Sequence, residues 1–322
     1  MKMAEAYAKR MCYAACRTDD VSRMEQAIEQ ASQSDSPDTA NYIVNYGLRL
    51  SVRRTAIGVL QYVLNHGADV ESLCGEDVLP IVDEFSKNDN EKPSMEVLEI
   101  LIAHGWDVNN RGNGRPLLWF VVKYPDLVQW CLDHGATLDI PSPPRLGYSH
   151  NPPQISANGE EIRHSALRGP STILGAAARS GTVETFELLR ARGAPSDPRM
   201  LHIAAQSGRL DMVRHLVDVI GLDVNAIEHE VGDHCSTPLC YFCGPRPFQE
   251  HHRELINFLL DRGADPDLDC GRDGGIPRQS PNQIARQWNN EKFLQAVEEW
   301  RARQQQEDGA DGGVSATAES GV

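Results

Sequence analysis

The sequence has few aromatic residues, little positive charge and no long apolar runs. Phe, Trp and Tyr make up only 6% of its 322 residues, so Leu, Val, Ile and Ala must fill most of the core. Lys and Arg number 31 against 46 Asp and Glu, which gives a formal net charge of −15. This negative charge repels nucleic-acid phosphates and anionic lipids. We therefore expect neither a nucleic acid nor a membrane as a partner.

The chain also lacks segments for export or membrane insertion. Apolar stretches such as 100–103 and 117–122 fall far short of the ~20 residues that cross a bilayer. The start of the chain carries Lys9, Arg10 and Arg17 and has no continuous apolar signal segment. The eight cysteines mostly lie in apolar helical patterns. We read them as free thiols and expect a monomeric intracellular protein, cytoplasmic or nuclear.

A short pattern recurs along the chain. Residues 59–70 and 97–108 both contain an apolar helical run followed by His-Gly and an acidic residue. An apolar run followed by glycine recurs at 128–136, 186–194 and 256–266. Glycine after an apolar run ends a helix because it adopts the left-handed conformation that other residues avoid. The recurring glycines are Gly67, Gly105, Gly135, Gly193, Gly221 and Gly263.

A second pattern marks the other end of the units, as in residues 172–177, 200–208 and Thr237-Pro238-Leu239. Threonine before a helix accepts a hydrogen bond from an otherwise unpaired amide, and proline at the first helical position has no amide to leave unpaired. Each unit is therefore predicted to contain a helix, a short turn, a second helix and a hairpin loop.

These residues resemble the ankyrin repeat, whose pattern is Thr-Pro-Leu-His-x-Ala-Ala-x-x-Gly, an apolar helix and Gly-Ala-Asp-Val-Asn. Residues 199–225 match it best, and residues 14–28 and 280–300 look like opening and closing helix pairs. The resemblance implies an all-α fold, an ankyrin-repeat solenoid of stacked antiparallel helix pairs joined by hairpin loops. We expect about eight pairs of ~33 residues each, spread over residues 1–302.

Several segments depart from the ankyrin pattern. Residues 139–170 are rich in proline and glycine, which predicts a long loop, either functional or disordered. Shorter insertions at 86–93 and 244–252 should lengthen the turns between paired helices. Residues 303–322 have no apolar periodicity, so we predict a disordered C-terminal tail.

One cluster has the composition of a zinc site. Cys240-x-x-Cys243 near a histidine pair could supply thiolate and imidazole ligands to a tetrahedral ion. In the ankyrin register, however, Cys240 takes the histidine position and Cys243 the second alanine position, so both are explained as small packed residues. We therefore predict no metal and no cofactor, with a zinc-dependent enzyme or metal sensor as the alternative. The cluster comprises His229, His234, Cys235, Cys240, Cys243, His251 and His252.

His66, His104 and His134 each precede a recurring glycine. They occupy equivalent places in different units, whose helices pack ~8–10 Å apart, and a shared zinc ion needs nitrogens within ~2.1 Å of it. We predict instead that each histidine stabilises the negative C-terminal end of a second helix.

No catalytic motif stands out, so we predict that the protein is not an enzyme. The sequence has no Gly-x-Ser-x-Gly, phosphate-binding loop or His-Glu-x-x-His. Turn geometry accounts for the glycines at 112–114 and 271–275. Arg49, Arg53 and Arg54 form a small basic stretch, which is either a solvated face or an anchor for an acidic peptide.

The leading hypothesis is a protein-interaction scaffold or adaptor that binds its partner on the concave surface of the array. Trp, Tyr and Arg dominate binding hot spots, although Trp119 and Tyr241 could instead fill space between units. A regulatory or inhibitory subunit that acts through the loop at 139–170 is a further alternative. The predicted partner-binding strip comprises Arg111, Asn113, Trp119, Tyr124, Arg168, Arg179, Gln206, Tyr241, Phe242, Arg272 and Asp273.

Overall fold

The protein was analysed as a computed structural model that describes residues 2–33, 38–81, 92–112, 114–139, 154–155, 161–162, 172–227, 237–245, 248–270 and 279–311. The chain divides into two compact units, Met1–Pro143 and Pro144–Val322. We predicted one array over residues 1–302. The division falls inside the predicted insertion at 139–170.

The first unit is helical wherever the structure describes regular elements. α1 (Lys2–Thr18) packs against α2 (Val21–Ser32) and α3 (Asp38–Arg54), and α3 packs against α4 (Ile57–Asn65). Asp19 links two of these pairs, because its carboxylate accepts hydrogen bonds from the amides of Gly58 and Val59 at 3.0 and 2.9 Å, at the start of the fourth helix. The α-helices are α1 (Lys2–Thr18), α2 (Val21–Ser32), α3 (Asp38–Arg54), α4 (Ile57–Asn65), α5 (Met95–Ala103), α6 (Leu117–Phe120) and α7 (Pro125–Asp133), with a 3₁₀ turn at Val70–Ser72.

The second unit is built of helix pairs as well. Its first helices pack in the order α8, α10, the 3₁₀ helix and α13, and its second helices pack in the order α11, α12 and α14. Helix pairs therefore stack on their neighbours within this unit. The elements are α8 (Ile173–Ser180), α9 (Val183–Ala191), α10 (Met200–Gln206), α11 (Leu210–Arg214), a π-helical turn (His215–Val219), the 3₁₀ helix (Pro238–Phe242), α12 (Glu250–Asp261), α13 (Pro281–Gln287) and α14 (Glu291–Asp311).

The predicted helix starts and stops are largely confirmed. Thr172 caps α8 by accepting a hydrogen bond from the Gly175 amide at 3.1 Å. Thr237 does not cap its helix, because its hydroxyl lies 3.5 Å from the Cys240 sulfur and the helix that follows is 3₁₀. The six recurring glycines all have positive φ, as a left-handed helix stop requires.

A π-helical turn interrupts the second helix of the repeat that begins at Arg199. The segment from Gly208 to Gly221 is one residue longer than the equivalent segment from Gly181 to Gly193. The π-helical hydrogen bonding at His215–Val219 accommodates this extra residue without ending the helix.

Three segments differ from the sequence expectation. In the insertion at 139–170, Gln154–Ile155 pairs antiparallel with Glu161–Ile162, whereas we predicted no strand; most of the remaining insertion lies outside the described residues. The last helix extends to Asp311, although we predicted that the disordered tail starts at residue 303. Residues 75–78 form a turn, where the predicted pairing would place a first helix before α5.

The core is filled as the low aromatic content predicts. Small residues such as Ala8, Ala15 and Ala205 are fully buried at the helix contacts. The seven cysteines in the described part of the chain are free thiols. Among the described helices, none combines the length and the apolar character needed to cross a bilayer.

Candidate partner-binding surfaces

The hairpin loops are held in place by histidine caps and asparagine bridges. His66, His104 and His134 follow α4, α5 and α7, and the Nδ1 atom of each lies 2.7–2.8 Å from the carbonyl oxygen four residues earlier. Because a carbonyl can only accept, each Nδ1 carries the hydrogen. Each imidazole thus adds a second donor to a carbonyl of the last helical turn, to which the histidine's own backbone amide also donates.

Asn109 and Asn225 occupy the last position of the Gly-Ala-Asp-Val-Asn pattern in different units. Asn225 Nδ2 donates to the Gly263 carbonyl, and Asn225 Oδ1 accepts from the Asp265 amide, both at 2.8 Å. Asn109 makes the same pair of bonds to Gly135 and Thr137. One side chain therefore fixes each loop to the loop of the following repeat.

In the first unit, Arg111 lies exposed on the loop after Asn109. It borders an open depression of about 500 Å³ whose wall is mainly polar. A depression of this kind suits an extended peptide better than a buried small molecule. The lining residues are Glu71, Gly105, Asp107, Asn109, Asn110, Arg111 and Gly112.

Two aromatic residues of the predicted strip lie close to this loop in sequence, and their exposure differs. Trp119 is only 7% exposed, and the Arg115 guanidinium lies 4.5 Å from its ring centroid. Tyr124 is half-buried, with the ammonium groups of Lys92 and Lys123 5.7 and 5.1 Å from its ring centroid. Trp119 is thus a core residue, and its place in the predicted strip was wrong because the α6 turn directs the indole inward.

In the second unit, Arg179 and Gln206 occupy equivalent positions at the ends of α8 and α10. Both follow the start of their repeat by the same number of residues, and both are exposed. Because α8 packs directly against α10, the two side chains belong to neighbouring first helices. The predicted strip is therefore consistent with the structure at these two positions.

Tyr241 and Phe242 follow on the 3₁₀ helix. Tyr241 is half-buried, and its ring meets the His202 ring edge-on with centroids 6.4 Å apart. Phe242 is 6% exposed and packs against His252. Phe242 is consequently unavailable to a partner, so its inclusion in the strip was wrong. The tight 3₁₀ turn leaves only one of two adjacent aromatic residues near the surface.

Asn113, Arg168, Arg272 and Asp273 also belong to the predicted strip. All four lie outside the described residues, and their roles stay predictions.

The cysteine cluster is arranged as packed thiols. Cys240 Sγ lies 3.7 Å from Cys270 Sγ, and the Cys243 thiol donates to the Cys240 carbonyl at 3.0 Å. The hydrogen bond with Cys243, together with burial, raises the pKa of Cys240 to about 12. Cys240 takes the place that His202 holds in the preceding repeat, where His202 Nε2 donates to the Ala226 carbonyl at 2.9 Å. The ankyrin register thus accounts for Cys240.

His252 takes part in capping α12, since its Nδ1 accepts a hydrogen bond from the Gln249 amide at 3.2 Å. His251 packs instead toward Gly208. In the part of the chain that the structure describes, no three His, Cys, Asp or Glu side chains are grouped so as to hold a metal ion. His229, His234 and Cys235 lie outside it.

Sequence reasoning missed a surface on α1 and α3. Lys9 Nζ lies 4.4 Å from the centroid of the Tyr42 ring, and Arg54 Nη2 donates to the Tyr13 hydroxyl at 2.8 Å. Only the three arginines at the end of α3 were noticed as a basic stretch. The i, i+4 spacing of Lys9, Tyr13 and Arg17 could have revealed the matching row on α1.

A comparison with known families finds the same repeat that best fits the ankyrin pattern in the sequence. A sequence model of the ankyrin repeat matches residues 199–226, which cover α10, α11, the π-helical turn and the loop that contains Asn225. No relative among the curated proteins matches the chain. The chain therefore contains an ankyrin repeat, at residues 199–226, and the described part of the chain is built mainly of paired helices.

Proposed function

We propose that this protein is a non-catalytic scaffold or adaptor that binds another protein through the exposed ends of its first helices. The proposal depends on one observation: Arg179 and Gln206 lie exposed at equivalent positions of α8 and α10, two helices that pack against each other. α10 belongs to the matched ankyrin repeat, and ankyrin repeats present such positions as a continuous binding surface.

The chemistry of these positions suits protein recognition. Arg179 can make bidentate contacts with a carboxylate, and Gln206 can donate and accept hydrogen bonds with a peptide backbone. Half-buried Tyr241 adds an aromatic surface on the next first helix. Because the Tyr241 ring already packs against His202, it should lose little conformational entropy when it binds a partner.

The test is crosslinking mass spectrometry on partners captured by the full chain, followed by affinity measurement with purified partner. We expect crosslinks close to α8 and α10, and we expect Arg179→Glu to weaken binding by about tenfold, as truncated interface arginines often do. Glu184→Arg is the matched control, because it reverses an exposed charge on α9 in the same repeat.

Two results would contradict the proposal. One is a partner whose affinity is the same for Arg179→Glu and the parent protein. The other is a set of crosslinks confined to residues 139–170 together with loss of binding when 141–168 are deleted, which would favour the inhibitory-loop alternative.

A further inference from the structure

α1 and α3 run side by side as the first helices of the two opening pairs. The Cys12 thiol donates to the Ile43 carbonyl at 4.0 Å, and the Cys16 thiol donates to the Gly47 carbonyl at 3.7 Å. Both cysteines are buried. This repeated offset shows that the helices are parallel and in register, so their outer faces form one continuous surface.

That outer surface carries alternating cationic and aromatic side chains. Lys9, Tyr13 and Arg17 follow one another at intervals of four along α1, and therefore lie on one face. On α3, the Tyr42 and Tyr46 rings stack with centroids 6.1 Å apart and an interplanar angle of 9°. We name this surface the tyrosine–cation face, formed by Lys9, Tyr13, Arg17, Tyr42, Tyr46 and Arg54.

Contacts between the two helices hold the face in a fixed arrangement. The Arg54 guanidinium lies 4.7 Å from the Tyr13 ring centroid as well as donating to its hydroxyl. Lys9 pairs with Glu5 at 2.9 Å while it covers the Tyr42 ring. Tyr13 and Tyr42 are nevertheless 40% and 46% exposed. These large side chains are thus ordered and still accessible.

The charge of these helices is opposite to that of the chain. α1 and α3 together contain seven basic and two acidic residues, a net charge of +5. The whole chain carries −15, which leaves −20 for everything else. A local positive surface on an acidic protein attracts a short anionic segment and repels an extended polyanion that would reach beyond the surface.

From these observations we propose that the tyrosine–cation face binds a short acidic segment of another protein. Carboxylates of the segment pair with Lys9, Arg17 and Arg54, and its apolar side chains pack on the exposed tyrosine rings. Tyr and Arg are the residue types that most often dominate binding energy. The inference rests on the proposed function as a protein-binding scaffold, and it specifies a surface and a partner chemistry.

The experiment uses the full chain and a fluorescein-labelled peptide of alternating glutamate and leucine, with a glutamine–leucine peptide of equal length as the uncharged control. We expect saturable binding of the acidic peptide that weakens as salt concentration rises, and no saturable binding of the control. Arg17→Glu and Tyr42→Ala should each raise the Kd by about fivefold or more, the change expected at an interface hot spot.

Arg286→Glu is the matched control variant, because Arg286 is exposed on α13 and its reversal changes the net charge by the same amount as Arg17→Glu. The proposal requires the Kd of Arg286→Glu to stay near the parent value. Thermal melts of each variant verify that the fold is kept. Arg17→Lys, which keeps the charge, should retain most of the affinity.

Three results would overturn the inference: no binding of the acidic peptide, equal weakening by Arg17→Glu and Arg286→Glu, or tighter binding of single-stranded oligothymidine to the same face. These failures are distinct from failure of the proposed function. A partner that crosslinks to α8 and α10 and depends on Arg179 would uphold the scaffold function while leaving the tyrosine–cation face without its proposed role.

Discussion

Asn225 and Gly263 are joined by a hydrogen bond of 2.8 Å from Nδ2 of the asparagine to the carbonyl oxygen of the glycine. The same asparagine side chain accepts from the Asp265 amide, so it satisfies two backbone groups of the next loop. One residue of the repeat pattern therefore links two consecutive repeats.

We predict that Asn225→Ala lowers the free energy of unfolding by about 1–2 kcal/mol, because two backbone groups lose their partner. Asn225→Asp should also be destabilising, since a carboxylate oxygen would face the Gly263 carbonyl in place of the donating amide, although it could still accept from the Asp265 amide. Urea denaturation followed by circular dichroism measures both changes. Asn65→Ala, an exposed position on α4, should have little effect, and an equal loss in Asn65→Ala would contradict the prediction.

Gly193 has φ +82°, and a Cβ added there would meet no atom within 4 Å. Any cost of Gly193→Ala is therefore conformational, and we expect about 1 kcal/mol of destabilisation. Gly193→Asn should cost less because asparagine tolerates the left-handed conformation. Melting temperatures of the two variants decide this, and an alanine variant as stable as the parent protein would show that the turn is relaxed.

Trp119→Ala is expected to act on stability. Removal of the buried indole should lower the free energy of unfolding by about 3 kcal/mol or more, as for other large core side chains. Glu96→Ala, on the exposed face of α5, serves as the control. Chemical denaturation measures the difference. A Trp119→Ala protein with an unchanged unfolding midpoint but weaker partner binding would restore this residue to the binding strip.

Glu187 links neighbouring repeats and should make stability depend on pH. Arg190 and His215 both hydrogen-bond to its carboxylate at 2.6 Å. Both hydrogen bonds lower the pKa of Glu187 below its ordinary value of 4.5, and the bond from Arg190 contributes more than the bond from His215. The stabilisation from this carboxylate is therefore complete above pH 4.5 and is lost as the pH falls through the lower folded-state pKa.

We expect Glu187→Gln to lower the melting temperature at pH 7, by an amount that corresponds to less than about 1 kcal/mol for a partly exposed pair. The difference from the parent protein should shrink as the pH falls below 4.5, and it should disappear once the glutamate of the folded parent protein is neutral as well. Glu184→Gln, exposed on the same helix, should show no such pH dependence. A Glu187→Gln difference that persists unchanged at pH 3 would contradict the carboxylate's role.

The sequence by itself determined the helix pairs and their ends. Gly193 and Gly263 after apolar runs, and Thr172 before one, specify local conformations that depend on φ and on capping bonds within a few residues. The same local pattern located the ankyrin repeat at 199–226. It also placed His66, His104 and His134 at helix C-termini, because each of them precedes a helix-ending glycine.

Only the tertiary structure decided which side chains reach the surface. Trp119 and Tyr241 hold the same position in their repeats, yet Trp119 is buried and Tyr241 is half-buried, because burial depends on the neighbouring helices. The tyrosine–cation face likewise joins Lys9 to Tyr42 and Tyr13 to Arg54 across two helices. Residues that far apart in sequence meet only because α1 packs against α3 in a particular register. The buried thiol contacts of Cys12 and Cys16 show this register.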